Sequence, residues 1–140
     1  TMLGPQPNAE DAAALIEYFK NLQPPPNPYR QPDGSLSAAA QRGQQVFHSE
    51  RAGCAACHSG PYLTDGQVHD VGTGGKDDRY PGCNTPSLLG VYRKVLLMHD
   101  GRCTSLDELL GGPHSPQRVT GLGELTEQQR EDLMAYLKSL

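Results

Sequence analysis

Apolar residues return at helical spacing in only a few stretches of this 140-residue chain. Ala12, Leu15, Ile16, Phe19 and Leu22 follow Asn8, a favourable N-cap, with acidic Glu10 and Asp11 in the first turn, and they predict an amphipathic helix over about 9–22. Pro24, Pro25, Pro26, Pro28 and Pro32 cannot extend it and favour a stiff, extended connector ending at the Asp33-Gly34 turn. Ser37 can cap a second helix, running to about 49, with Ala39, Gly43, Val46 and Phe47 on one face. Short helices are predicted at about 85–91, after Asn84-Thr85-Pro86, and at about 104–110, where Thr104 or Ser105 precedes Leu106, Leu109 and Leu110. The closing helix, about 126–139, has the clearest pattern: Thr126 and Gln129 stand at capping-box spacing, and Leu133, Leu137 and Leu140 form a stripe flanked by Met134 and Tyr136. Between Gly53 and Gly101 no period is sustained, and a loop of that length needs something to wrap around.

LIEYFKNL at 15–22 parallels LMAYLKSL at 133–140, Tyr18 falling on Tyr136. The first helix therefore reads as the closing helix of a preceding, related domain, with two unrelated amphipathic helices as the alternative. The chain divides into an N-terminal helix and Pro-rich linker, 1–34, and a domain, 35–140.

Composition sharpens the question of what the long loop wraps. Hydrophobic residues are 36%, aromatics 6% with no Trp, while Gly and Pro number 16 and 12, so apolar side chains alone make a thin core for this length. A net charge of −4 without a block of Lys or Arg argues against nucleic-acid binding. No apolar run approaches the roughly 20 residues of a membrane span. The opening TMLGPQPNAED has neither the charged nor the apolar region of a signal peptide, so any export signal is removed or lies upstream, and the chain can be a fragment of a longer protein.

Cys54-Ala55-Ala56-Cys57-His58 is C-x-x-C-H, the attachment signature of c-type haem. Two thiols three positions apart can each add to one vinyl group of the same porphyrin, and the next residue can then bind the iron from one side. The competing readings are weaker. Cys54, Cys57, Cys83 and Cys103 can be imagined as a Cys₄ zinc site, but the last two lack the second knuckle such sites use. A thioredoxin-like pair needs a βαβ context that the Gly- and Pro-rich flanks do not supply. A disulfide within so tight a loop is strained.

RGQQVFHSERAGCAACH, 42–58, resembles the opening of a class I cytochrome c: a helix with Gly and, four residues on, an aromatic, then the haem motif. The resemblance implies an all-α domain wrapped around one covalent haem, with Gly43 and Phe47 meeting Leu133 and Tyr136 where first and last helices cross. LTDGQVHDVGTGG (63–75), NTPSLLGVYRKVLLMHDGR (84–102) and TSLDELL (104–110) resemble the C-terminal haem domain of bacterial di-haem cytochrome c peroxidases, the related methylamine-utilisation oxidases, and propeller-fused cytochrome domains. One C-x-x-C-H departs from their two-haem arrangement, as do Cys83 and Cys103. The candidate ligands opposite His58 are His69, Met98, His99, His114 and Met134. Met134 fits a core position, His69 a propionate contact or solvent, and His99, with Arg102, the haem surroundings. The related domains draw this ligand from the loop before the closing helix, which puts His114 ahead of Met98. Cys83 and Cys103, a spare pair in a protein matured in an oxidising compartment, are expected to form a disulfide.

A six-coordinate haem leaves no position for substrate, so the expected function is electron transfer by an exported, periplasmic cytochrome with a redox protein or fused redox domain as partner. The alternative is a peroxidase-like enzyme with an exchangeable sixth ligand, helped by His99, Asp100 or Arg102.

Overall fold

The computed structural model describes residue 4, residues 6–80 and residues 82–140. Its helices begin where side chains satisfy free backbone N–H groups. Asn8 caps α1 (Ala9–Asn21), accepting from the Asp11 N–H at 2.8 Å. Ser37 caps α2 (Ala38–Phe47), Ser105 caps α3 (Leu106–Gly111), and Ser115, with Pro116 at the first helical position, caps α4 (Pro116–Thr120). Thr126 opens α5 (Glu127–Lys138) through a reciprocal capping box with Gln129. The helix expected at 85–91 is absent. Pro86 and Gly90, the latter at φ 68°, break it, and only a 3₁₀ turn at Val91–Arg93 follows. A two-stranded antiparallel ribbon, β1 (Val68–His69) with β2 (Cys83–Asn84), pairs His69 with Cys83. Strands of two residues are too short for alternation to announce, as α4 is too short for helical periodicity.

The architecture is helical, and its centre is the crossing of α2 and α5. A Cβ built on Gly43 would stand 1.8 Å from the Asp132 carbonyl oxygen and 2.8 Å from the Tyr136 Cβ, so the two backbones approach as closely as only glycine permits. Around that contact lie Ala40, Phe47, Leu133, Met134, Tyr136 and Leu137, all buried, with the rings of Phe47 and Tyr136 edge to face at 5.3 Å. Arg42 grips the buried Asp132 with both ends of its guanidinium, at 2.8 and 2.7 Å, and holds that carboxyl below its ordinary range by hydrogen bonding and then by charge. Met134 thus belongs to the core, as its helical position implied.

The Pro-rich connector is tied to the last turn of α5, whose carbonyls lack helical partners. Asn27 donates to the Lys138 carbonyl at 3.0 Å and Arg30 to that of Ser139 at 2.8 Å. Tyr29 packs edge-on against Tyr92 at 5.7 Å. By contrast, α1 has no buried residue.

Gly43→Ala is expected to cost about 3 kcal/mol or more, since backbone rather than a movable side chain meets the added carbon; a denaturant midpoint unchanged from the parent would contradict this. The lowered Asp132 pKa stabilises the fold above the ordinary carboxylate pKa, and that contribution is lost as pH falls through the folded-state value. Asp132→Asn should therefore flatten the acid side of the stability profile measured by thermal melts between pH 2 and 7.

Candidate functional site

Gly53, in the left-handed region at φ 66°, turns the chain after the α2 segment into a single 3₁₀ turn at Cys54–Ala56. The Cys54 carbonyl accepts from the N–H groups of Cys57 and His58, at 3.4 and 2.9 Å, which winds the five residues of the motif into one tight coil. The Cys57 carbonyl accepts in turn from the Asp65 N–H at 2.9 Å, folding 59–65 back beneath it. His58 Nδ1 lies 3.3 Å from the Leu63 carbonyl, offered by a residue at φ 51°. A carbonyl only accepts, so Nδ1 carries the proton and Nε2 keeps a free lone pair.

The loop after α3 brings a second imidazole to the first. The Leu109 carbonyl accepts from the His114 N–H at 3.1 Å. Beyond it, Thr120 at the end of α4 donates its hydroxyl to the Arg51 carbonyl at 3.1 Å, and its methyl occupies the place that a Gly53 Cβ would need. This clasp holds the 112–121 segment against the coil at 53–58. The His58 and His114 rings end 6.4 Å apart between centres and nearly perpendicular, at 86°. Burial holds both below the ordinary imidazole pKa, His114 further by repulsion from His58, so both are neutral and have lone pairs to offer at neutral pH.

Both histidines line a cavity of ≈ 300 Å³, together with Cys54, Cys57, His69, Met98 and His99. Its apolar wall comes from Val71, Leu88, Val91, Leu97, Leu106 and Leu109. Met98 reaches it from a turn in which it takes φ 73°, closed by the Leu97–Cys103 bridge. His99 pairs with Asp78 at 3.0 Å, and His69 with Asp65 at 2.7 Å. Backbone donation from Gln67, then His69, holds Asp65 at about 2. Arg102 does not line the cavity. It pairs with Asp100 at 2.7 Å and donates to the carbonyl of Thr73, a cavity residue, at 3.0 Å. Sequence reasoning missed Val71, Thr73 and the Leu63 carbonyl. The last acts through its backbone and leaves no side-chain signal.

The expected Cys83–Cys103 disulfide is not formed, and all four cysteines are free. Cys103 is 1% exposed within the hydrophobic core, its main chain paired with Leu97, whereas Cys83 stands on the cavity wall in β2. The same separation disposes of a Cys₄ zinc site. Among the described residues, the one His/Cys/Asp/Glu group compact enough for a metal ion is Cys57, Asp65 and His69. Burial also pushes the Cys54 thiol up to about 11, away from the thiolate a metal prefers. A macrocycle fits the donor set better. Two thiols three positions apart and two imidazoles line one largely apolar cavity, the donor set that a covalently attached porphyrin would use.

A family model described as Cytochrome c matches residues 40–140. The chain is 29% identical to hydrazine synthase subunit gamma of Kuenenia stuttgartiensis over 91% of its own length and 48% of that protein's. It is 33% identical to the methylamine utilization protein MauG of Methylorubrum extorquens over 77% of its length and 36% of that protein's. The solved hydrazine synthase of Kuenenia stuttgartiensis superposes with a TM-score of 0.72 at 28% identity, covering 91% of this chain and 54% of that one. The chain thus spans about half the length of the relatives it matches, or less.

Alkylation without reductant, read by peptide mass spectrometry, should label both Cys83 and Cys103, the latter only on unfolding. Protection of both until a reductant is added would restore the disulfide.

Proposed function

The chain belongs to the cytochrome c family, and from that premise we propose that it is an electron-transfer unit carrying one six-coordinate haem c. Cys54 and Cys57 would hold the haem through thioether links, and His58 and His114 would be the ligands of its iron. When bound, the haem supplies the one-electron couple of its iron. The observation that carries the reading is the facing pair of neutral imidazoles beside the two thiols, 6.4 Å apart between ring centres.

The residues of this chain set the conditions for that couple. The Leu63 carbonyl fixes the His58 tautomer by accepting a hydrogen bond from Nδ1–H, which would leave Nε2 free for the metal. Thr120 and Leu109 fix the loop that presents His114. Val71, Leu88, Leu97 and Leu109 line the cavity and would keep water from the bound group. Thr73 and His99, the first backed by Arg102 and the second by Asp78, would offer polar groups to the bound cofactor. Two imidazoles set a lower potential than imidazole with thioether, since Met ligation raises it. We place the unit in an exported, periplasmic setting, where haem c attachment occurs, and within a larger redox protein, as the greater length of its relatives suggests. None of its helices is long and apolar enough to cross a membrane among the described residues.

A second reading is favoured by His99, which lines the cavity and pairs with Asp78. Were the place of His114 open to a substrate, that pair would supply an acid/base group in the same cavity, as peroxide reduction needs. Turnover of peroxide by the purified protein would select it.

The mature protein should show a low-spin spectrum in both oxidation states. His114→Ala should convert it to high spin, and Met98→Leu should leave it low spin. The reverse pattern would give the ligand position to Met98, and a colourless mature protein would remove the haem reading altogether.

A further inference from the structure

Asp65 and His69 have no part in the site proposed above, yet the fold sets both beside Cys57. The Asp65 N–H donates to the Cys57 carbonyl at 2.9 Å, which brings the chain back to the thiol. Gln67 donates its N–H to one Asp65 carboxylate oxygen at 3.0 Å, and His69 pairs with the other at 2.7 Å. His69 is fixed in turn by the ribbon, where it faces Cys83, and by Gly82, on which a Cβ would stand 2.9 Å from the His69 carbonyl. One ligand atom from each of Cys57, Asp65 and His69 thereby lies within 4.8 Å of the other two, on side chains that are all half-buried. Cys54 is not a member of the group, and its sulfur lies 3.6 Å from the Ala52 carbonyl.

Thiolate, imidazole and carboxylate together suit a borderline-soft divalent cation, and zinc takes three such ligands with water as the fourth. The edges of a tetrahedron with those bond lengths are about 3.3 to 3.6 Å, so side-chain shifts of about 1 Å close the three donors around an ion. Asp65, held at about 2 by the Gln67 N–H and then by His69, keeps its charge at neutral pH. We propose that the chain without haem holds one zinc ion, or another divalent cation of that class, on Cys57, Asp65 and His69. Coordination releases the Cys57 thiol proton to water and leaves the sulfur on the metal as a thiolate. That sulfur serves one partner at a time. Bonded to a porphyrin vinyl carbon it is a neutral thioether and no longer the thiolate of a zinc site, so the ion leaves when haem is attached. This last step rests on the haem reading, and the metal site itself does not.

The test uses the full chain made without haem attachment, reduced and stripped of metal, with Co²⁺ alone as the probe. Stoichiometric cobalt should produce sulfur-to-cobalt charge-transfer absorption, which Zn²⁺ should abolish. Cys57→Ser should remove the band, and Asp65→Asn and His69→Ala should each weaken cobalt binding by about tenfold or more. His69→Cys, which offers another donor from the same backbone position, should restore what His69→Ala loses, as a purely structural role would not. Cys83→Ser, a thiol on the cavity wall outside the group, should bind cobalt as the parent does. A parent chain without the band overturns the proposal. So does a band that Cys54→Ser removes and His69→Ala leaves, since the ion then belongs to the haem motif alone. The chain with haem attached should contain no zinc by elemental analysis. A colourless chain from the same haem-attaching host that carries stoichiometric zinc upholds the metal site and fails the haem reading, which tells the two apart.

Discussion

The contact of Gly43 with the Asp132 carbonyl fixes more of this molecule than its size suggests. Two helices that touch through their backbones cannot slide or roll without collision, so the positions of everything attached to their ends follow. The end of α2 leads through Phe47 to the coil at 54–58, and the start of α5 receives the chain from α4, which follows the loop that carries His114. Phe47 and Tyr136 brace the crossing on one side and the Arg42–Asp132 pair on the other. A side chain at 43 would have to push the two helices apart.

From that frame outward, the site is assembled by short-range hydrogen bonds rather than by secondary structure. Leu63 to His58, Leu109 to His114 and Thr120 to Arg51 are each modest interactions. Their effect is geometric: together they hold two imidazoles edge to face, 6.4 Å apart between ring centres, in one cavity. Burial keeps both rings neutral, which is the state a ligand must be in, so desolvation and positioning act in the same direction.

Some of this was legible in the sequence because it resides in side chains with a characteristic spacing. Asn8, Ser37 and Thr126 announced their helices, and the resemblance to class I cytochromes c implied the crossing at Gly43 and Phe47. What stayed hidden resides in the backbone or in pairings too brief to leave a period. The loop at 85–91 contains enough Leu to suggest a helix, yet Pro86 removes a donor and Gly90 takes a left-handed turn. Counting cysteines suggested a bond between 83 and 103, but counting is blind to direction: one side chain enters the core and the other stands on the cavity wall. Arg102 was placed by its neighbours in sequence, whereas its guanidinium goes to Asp100 and to the carbonyl of Thr73.

The thin apolar composition finds its explanation in how the core is shared. One half is protein packed on protein, at the crossing of α2 and α5. In the other half, Val71, Leu88, Leu106 and Leu109, none of them fully buried, face a common cavity from loops rich in Gly and Pro. Loops of that kind lose much conformational freedom on ordering and have few regular backbone hydrogen bonds to offset the loss. A large, rigid, apolar body attached covalently at Cys54 and Cys57 would complete their burial and, being bound only in the folded state at His114, would shift the folding equilibrium toward that state. The proposed haem is then as much a part of the hydrophobic core as Phe47 or Leu133, and the segment from 53 to 115 has a sequence suited to surrounding a cofactor instead of packing against itself.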